Sequence, residues 1–289
     1  MKKRQPVIHI GFGRCGSTFL QKKIFPNLSH YKFIEDIRSE EIIGSTDFWD
    51  LPGDLIFQTE TEPYCYSNEG ILPYTPVYYG VRTSRDQCID NLLCLFKDHG
   101  EIFLQIRRQD HMALSLFNYT APSFFRKVED IFLDFPQEDV GAGVFCLKSK
   151  KGMYHIESLN YWGVISRFVS FFGANRVHVL CLEELKHDPR SYFERLSRIF
   201  DEDLTYLEVT SNDLINKSDE TRARYPLNLG KIAKPFKGTF IESAGRRFFR
   251  RTSYMPSGFS RSILEYFKRG NEKIDDLFRL NMKNYGYFP

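Results

Sequence analysis

The sequence predicts an α/β fold: a mostly parallel sheet in a three-layer arrangement, with helices on both faces. Three observations predict it. Short apolar runs alternate along the chain with segments of helical period. The first apolar run, PVIHI, breaks directly into the glycine-rich turn GFGRCGST. A later run, IFLQI, likewise passes straight into a helical pattern. The length of 289 residues suits one large α/β domain or two small ones, and a single domain over 1–289 is expected.

The elements follow in order. Residues 6–10 read as a short buried strand and 11–18 as the glycine turn. A helix is predicted from about Gly16 to Phe25, ended before Pro26 because the residue before a proline avoids the helical region. Residues 54–59 (DLIFQT) read as a second strand. Residues 84–97 read as a helix, with Ser84 able to cap and Cys88, Leu92, Leu95 and Phe96 on one face. A strand at 102–106 precedes a helix at 109–119. Residues 155–172 carry Ile156, Leu159, Trp162, Ile165, Val169 and Phe172 at helical spacing, and Gly173 closes that helix. Residues 176–182 read as a strand. Residues 189–200 read as a helix opened by Asp188 and Pro189, a capping residue before a first-turn proline. A long amphipathic helix is predicted over 260–283. The stretch 210–258 is polar and basic with little periodicity, and is expected to form loops and short helices over one end of the sheet.

Composition narrows the function classes. Hydrophobic residues make up 42% of the chain and aromatic residues 16%, so a full, ring-rich core can be buried and some rings could line a cleft. The net charge of +3 gives no global reason for a nucleic-acid partner, so any anion site must be local. Cys15, Cys65, Cys88, Cys94, Cys146 and Cys181 form no CxxC pair, and several stand in apolar runs, the usage of a reducing compartment. No ligand cluster has metal-site spacing, so no metal is expected. The basic N-terminus is followed by an apolar run that glycines and Arg14 cut short, unlike a signal peptide. No run approaches the ~20 apolar residues of a membrane span. A soluble cytoplasmic protein is expected.

A strand, a glycine loop and a helix form a phosphate-binding design, because backbone N–H groups can face an anion and glycines let it come close. The loop admits three readings. Gly11, Gly13 and Gly16 fit the dinucleotide-binding GxGxxG pattern, with Glu35 and Asp36 near the place of its ribose-binding acid. Gly11 and Gly16 have the separation of GxxxxGK[ST], but Ser17 stands where the lysine of a triphosphate-cleaving enzyme belongs. The third pattern has a basic residue before the second glycine and Ser/Thr after it: Arg14, Gly16, Ser17 and Thr18. A tight, ligand-free turn is the plain alternative to all three.

The segment IFLQIRRQDHMALSLFNY supplies a second constellation. Arg107 ends a strand, and Ser115 follows about two helical turns on. Carboxyl ends of strands are where open α/β sheets bind ligands. Taken alone, Arg107 and Arg108 could be a solvated pair and Ser115 a surface residue. Together the two segments resemble the phosphate motifs of sulfotransferases that use 3′-phosphoadenosine-5′-phosphosulfate (PAPS), bacterial members and the carbohydrate and heparan enzymes included. The stretches YWGVISRFVSFFGANRVHVLCLEELKHDP, INKSDETR and NEKIDDLFRLNMKNYGY also resemble the family, so the likeness covers most of the chain.

The resemblance implies a P-loop NTPase-like sheet and PAPS as co-substrate. It implies Arg14, Cys15, Gly16, Ser17 and Thr18 at the 5′ end of the nucleotide, and Arg107 with Ser115 at the 3′-phosphate. Family members often carry Lys at the place of Arg14; either cation can neutralise the leaving phosphate, and Arg grips two oxygens. Heparan-type enzymes close a Lys-Gly loop over the nucleotide near the C-terminus. Lys151-Gly152 comes too early in this chain for that role, so Lys217, Arg222 and Arg224 are the lid candidates, with a solvated basic surface as the alternative. The stretch 210–258 is then a cover over the nucleotide and acceptor cleft.

Sulfuryl transfer needs a base for the acceptor. The family's base is a His, or a Glu in a strand-end E-K-[ST]-P-x-Y segment. In IFQTETEPYCY, Glu60 and Pro63 fall on that Glu and Pro, while Thr61 replaces the Lys and the tyrosine register shifts. Glu60 is the expected base, and Glu62 shares its face if the strand continues. His111, expected to face the nucleotide side or solvent, and His9, expected in the core, are alternatives. The function implied is transfer of a sulfuryl group from PAPS to a hydroxyl or amine of a carbohydrate or small polar metabolite. The rivals are a nicotinamide-dependent oxidoreductase using Gly11, Gly13, Gly16 and Asp36, and a non-catalytic nucleotide-binding module.

Overall fold

The computed structural model describes residues 4–34, 63–68, 85–96, 100–120, 136–138, 145–147, 156–207, 222–226 and 250–289. The strands among them are β1 (Val7–His9), β2 (Lys32–Ile34), β3 (Tyr64–Ser67), β4 (Glu101–Ile106), β5 (Pro136–Glu138), β6 (Phe145–Leu147), β7 (Val177–Cys181), β8 (Arg222–Pro226) and β9 (Arg250–Tyr254). The α-helices are α1 (Ser17–Phe19), α2 (Arg85–Phe96), α3 (Gln109–Thr120), α4 (Tyr161–Phe172), α5 (Leu182–His187), α6 (Pro189–Phe200) and α7 (Ser257–Phe278). The chain divides into two compact units. One comprises Met1–Arg108, Asn160–Asn216 and Phe267–Phe288; the other comprises Gln109–Leu159, Lys217–Tyr266 and Pro289.

The first unit holds a five-stranded sheet in the order β2-β3-β1-β4-β7. All its pairings are parallel. The alternation of side chains along each strand sends Val7, Cys65, Phe103 and Leu180 to one face. There they meet Phe19, Leu20, Ile24 and Phe25 after the glycine loop, and Tyr192, Phe193, Leu196 and Phe200 of α6. Each such apolar side chain contributes roughly 1.5–3 kcal/mol on burial. The other face is lined by Ile8, Tyr66, Ile102, Leu104 and Val179, all buried. Helix α4 packs on β4 and β7 and against α2, and it buries Val164, Ile165, Phe168 and Phe172. The first unit is thus a parallel sheet with helices on both faces, as the alternating pattern predicts.

Local chemistry explains where boundaries depart from the sequence reading. The helix after the glycine loop does not stop before Pro26. It runs from α1 into a π segment, Leu20–Ile24, and a 3-10 turn, Phe25–Asn27. Pro26 is tolerated there because a first-turn residue needs no N–H partner. The helix expected over 155–172 is two pieces, a 3-10 turn Ile156–Leu159 and α4. Asn160 divides them: its side chain accepts the Gly163 N–H and caps α4. Helix α5 follows β7 without a loop, and was not expected. Asp188 caps α6 by accepting the Ser191 N–H at 3.1 Å, with Pro189 in the first turn as predicted. The C-terminal helix begins at Ser257 and ends at Phe278, before a 3-10 turn, Met282–Tyr285. The strand expected at 54–59 lies outside the described residues.

In the second unit, β5 pairs with β6 and β8 with β9, both antiparallel. The β8–β9 pair is regular structure within 210–258, where loops and short helices were expected. Helix α3 packs against β8. The Ser260 hydroxyl donates to the Asp110 carboxylate at 2.6 Å, tying the start of α7 to that of α3. Among the described residues, no helix is long and apolar enough to cross a membrane.

Candidate functional site

The glycine loop leaves β1 along the end of β4. Ile10 N–H donates to Phe103 O at 3.2 Å and Phe12 N–H to Gln105 O at 3.4 Å. Beyond this the backbone turns sharply: Arg14 (φ 66°) and Gly16 (φ 89°) are both left-handed, flanking Cys15. Alternation of this kind makes a backbone nest, a concavity that favours anions. Gly16 cannot be replaced without strain. A Cβ there would stand 2.8 Å from both Gln105 Nε2 and Leu182 Cδ1.

Gln105 fixes the loop from beneath. Its Nε2 donates to Cys15 O at 2.6 Å, and its Oε1 accepts the Tyr192 hydroxyl of α6 at 2.8 Å. Burial pushes the Tyr192 phenol well above its ordinary range, so it stays a donor. With both partners set, the orientation of the Gln105 amide is determined. Arg107, one residue past β4, is only 6% exposed. Its Nη1 donates to Arg14 O across a long 3.4 Å contact. Because β1 and β4 are parallel neighbours, the loop and Arg107 stand together at the carboxyl ends of their strands.

Two polar atoms of the loop region are buried without a partner: Ser17 Oγ and His9 Nε2. Such orphans cost about 1–3 kcal/mol each, so they stand out in a packed interior. His9 is wholly buried, as expected, and burial pushes its pKa down to about 3, leaving it neutral. Its Nδ1 lies 2.8 Å from Ser67 Oγ. An unpartnered hydroxyl, a nest and a guanidinium at one end of a sheet are the donor set that a phosphorylated ligand needs.

Arg14, Gly16 and Thr18 are half-buried, while Cys15 and Ser17 are buried. Ser115 is buried on α3, and belongs to the second unit. His111 was expected to face the nucleotide side or solvent. It is buried too, its backbone N–H donating to the Asp110 carboxylate at 2.8 Å. Arg222 opens β8 opposite Tyr254, and Arg224 stands opposite Thr252. Glu60, Glu62, Asp36, Lys151, Gly152 and Lys217 lie outside the described residues. Among the described residues, no group of three or more His, Cys, Asp or Glu could hold a metal ion.

Sequence reasoning missed Gln105 and Tyr192. The available signal was a lone amide in the apolar run IFLQI, since a buried amide must find partners. The sheet order also bears on the rival readings of the loop. In a dinucleotide-binding sheet the first strand lies beside the second. Here β1 lies between β3 and β4, and β2 is at the edge.

No protein-family model matches the sequence, and no curated protein matches it. Among solved structures, the chain is similar to a sulfotransferase from Alicyclobacillus acidocaldarius. The TM-score is 0.51 at 12% identity, over 98% of this chain and 99% of that one. A mouse sulfotransferase, SULT7A1, solved in complex with PAP, matches at a TM-score of 0.35 and 12% identity, over 94% of this chain and 82% of that one. The first likeness shows the fold, an α/β sheet of P-loop-like type.

Proposed function

We propose that this chain is a sulfotransferase that moves a sulfuryl group from PAPS to a hydroxyl or amine of a carbohydrate or small polar metabolite. The observation that carries the reading is the meeting of Arg107 with the glycine loop, through Arg14 O, at the carboxyl ends of β1 and β4. A bisphosphorylated nucleotide needs two separate cationic grips, whereas NAD carries no phosphate outside its pyrophosphate. The parallel sheet and the likeness to a bacterial sulfotransferase support the same reading. The domain is taken as 1–289. The buried, non-disulfide cysteines Cys15, Cys65 and Cys181 suit a reducing cytoplasm.

When bound, PAPS supplies the sulfuryl group and a phosphate leaving group. The nest, Cys15, Gly16, Ser17 and Thr18 hold the 5′ end, and Arg107 holds the 3′-phosphate. Arg14 neutralises the bridging oxygen as charge builds on it. Glu60 accepts the proton that the acceptor loses. The parts given to Ser115, Lys217 and Arg222 rest on family resemblance alone.

Adenosine 3′,5′-bisphosphate is expected to raise the melting temperature, because a ligand that binds only the folded state stabilises it. At 100 times its Kd the gain is about 2.7 kcal/mol. AMP at equal concentration, lacking the 3′-phosphate, is expected to give a much smaller shift. Equal shifts from the two nucleotides in a thermal melt would overturn the two-grip reading.

A further inference from the structure

The orphaned atoms of His9 and Ser17 point to a hydrogen-bond relay beneath the loop. Strand pairing sets it up. In the parallel register of β1 and β3, His9 stands directly beside Ser67, which brings Nδ1 to 2.8 Å from the serine hydroxyl. Gln21, in the π segment after the loop, donates from Nε2 to the same hydroxyl at 3.2 Å. The His9 ring is held by Phe25 and Phe103, with centroids 5.3 and 5.1 Å away, so its plane is fixed and Nε2 has one direction to face. That direction is toward Gly11. A Cβ on Gly11 would stand 2.7 Å from His9 Nε2 and 3.1 Å from Ser17 Oγ, and the missing side chain leaves that space to both polar atoms.

Hydrogen-bond satisfaction favours one tautomer. The Gln21 amide can only donate to Ser67 Oγ. With Gln21 as a donor, His9 Nδ1 at 2.8 Å is the acceptor left for the Ser67 proton, and a proton on Nδ1 instead would leave the buried Ser67 O–H unsatisfied. His9, held neutral by burial, then carries its one ring proton on Nε2. Nε2 borders the space beside Gly11 that it shares with Ser17 Oγ, and neither atom has a partner.

We infer that His9 is a positioning residue for Ser17: Nε2–H donates to Ser17 Oγ, so that the Ser17 O–H is left to donate to a phosphate or sulfuryl oxygen held in the loop. The chain Gln21, Ser67, His9, Ser17 then runs one way, each hydroxyl accepting from the residue before it and donating to the next. The inference rests on the phosphate-loop reading above and adds a residue of the first strand to that site. The relay closes when the loop is filled, through a small movement of the Ser17 side chain toward Nε2.

The test is a titration with adenosine 3′,5′-bisphosphate, combined with nitrogen NMR of the histidine-labelled chain. The expected complex shows His9 as the neutral Nε2–H tautomer. His9→Phe is expected to lose about tenfold in affinity. His9→Gln, whose amide nitrogen reaches the place of Nε2, is expected to return to within about threefold of the unmodified chain. In a Ser17→Ala background, His9→Phe is expected to cost nothing further, as for two residues acting through one bond. A bound-state Nδ1–H tautomer overturns the relay without any variant having to fold. Equal affinity of the unmodified chain and His9→Phe also overturns it, and leaves the phosphate loop standing. Failure of the unmodified chain to bind the bisphosphate overturns the phosphate-loop reading, and the relay with it.

Discussion

Replacing Arg107 with alanine is expected to weaken adenosine 3′,5′-bisphosphate by about 2–4 kcal/mol, about 30- to 1000-fold. The size follows from the surroundings. Arg107 is nearly buried and lies against the loop backbone at Arg14 O. A phosphate gripped there loses water on binding and receives charge-assisted hydrogen bonds in its place. Removing the guanidinium leaves the phosphate desolvated and unpaired, which costs more than the bond itself was worth. Arg107→Lys keeps the charge but loses the fork, and is expected to fall between the two. AMP, which has no 3′-phosphate, is expected to bind Arg107→Ala and the unmodified chain alike. Calorimetric titration of both nucleotides checks this. An unchanged bisphosphate affinity removes Arg107 from the site.

Replacing Glu60 with glutamine is expected to lower turnover by about 10²- to 10⁴-fold, the usual worth of general-base catalysis. Bisphosphate affinity should be unchanged, because the base meets the acceptor rather than the nucleotide. The glutamine keeps the shape of the side chain and removes only its basicity. Glu60 precedes Pro63, whose carbonyl accepts the Lys32 N–H at 3.0 Å where β3 begins beside β2. Glu62→Gln is expected to be milder, since two residues along an extended chain are displaced by about 7 Å. The assay uses labelled PAPS and an acceptor found by screening sugars and small metabolites. An inactive Glu62→Gln with an active Glu60→Gln moves the base by two residues. Two active variants place the base elsewhere.

The parts legible in the sequence were those with strong local signals. The run from Glu101 to Thr120 is a buried strand passing into a helix, and both were read within a residue or two because apolar period and chain punctuation agree. The capping pair Asp188-Pro189 likewise marked α6. Short elements escaped. β2 has three residues at the sheet edge, too few to show a period, and its pairing to β3 comes from far along the chain. Helix α5 has six residues fused to the end of β7, and reads as the tail of that strand. The β8–β9 pair joins residues well apart in a polar stretch, so no local alternation announces it.

The candidate site divides along the same line. The glycines and Arg14 are contiguous and could be read from spacing, and Arg107 from its place at a strand end. The Tyr192–Gln105–Cys15 support and the His9–Ser67 contact join residues brought together only by strand order and register. His9 was read as a core histidine, which its burial bears out. What the sequence hid was the direction of its second nitrogen.

On the proposed reading, the glycine loop and Arg107 together bind a nucleotide carrying both a 5′- and a 3′-phosphate. A calorimetric titration of the unmodified chain with adenosine 3′,5′-bisphosphate, NAD and ATP under one set of conditions checks this. The bisphosphate is expected to bind at least about tenfold tighter than either rival, a margin of about 1.4 kcal/mol. Tighter binding of NAD, or equal binding of all three, would contradict it.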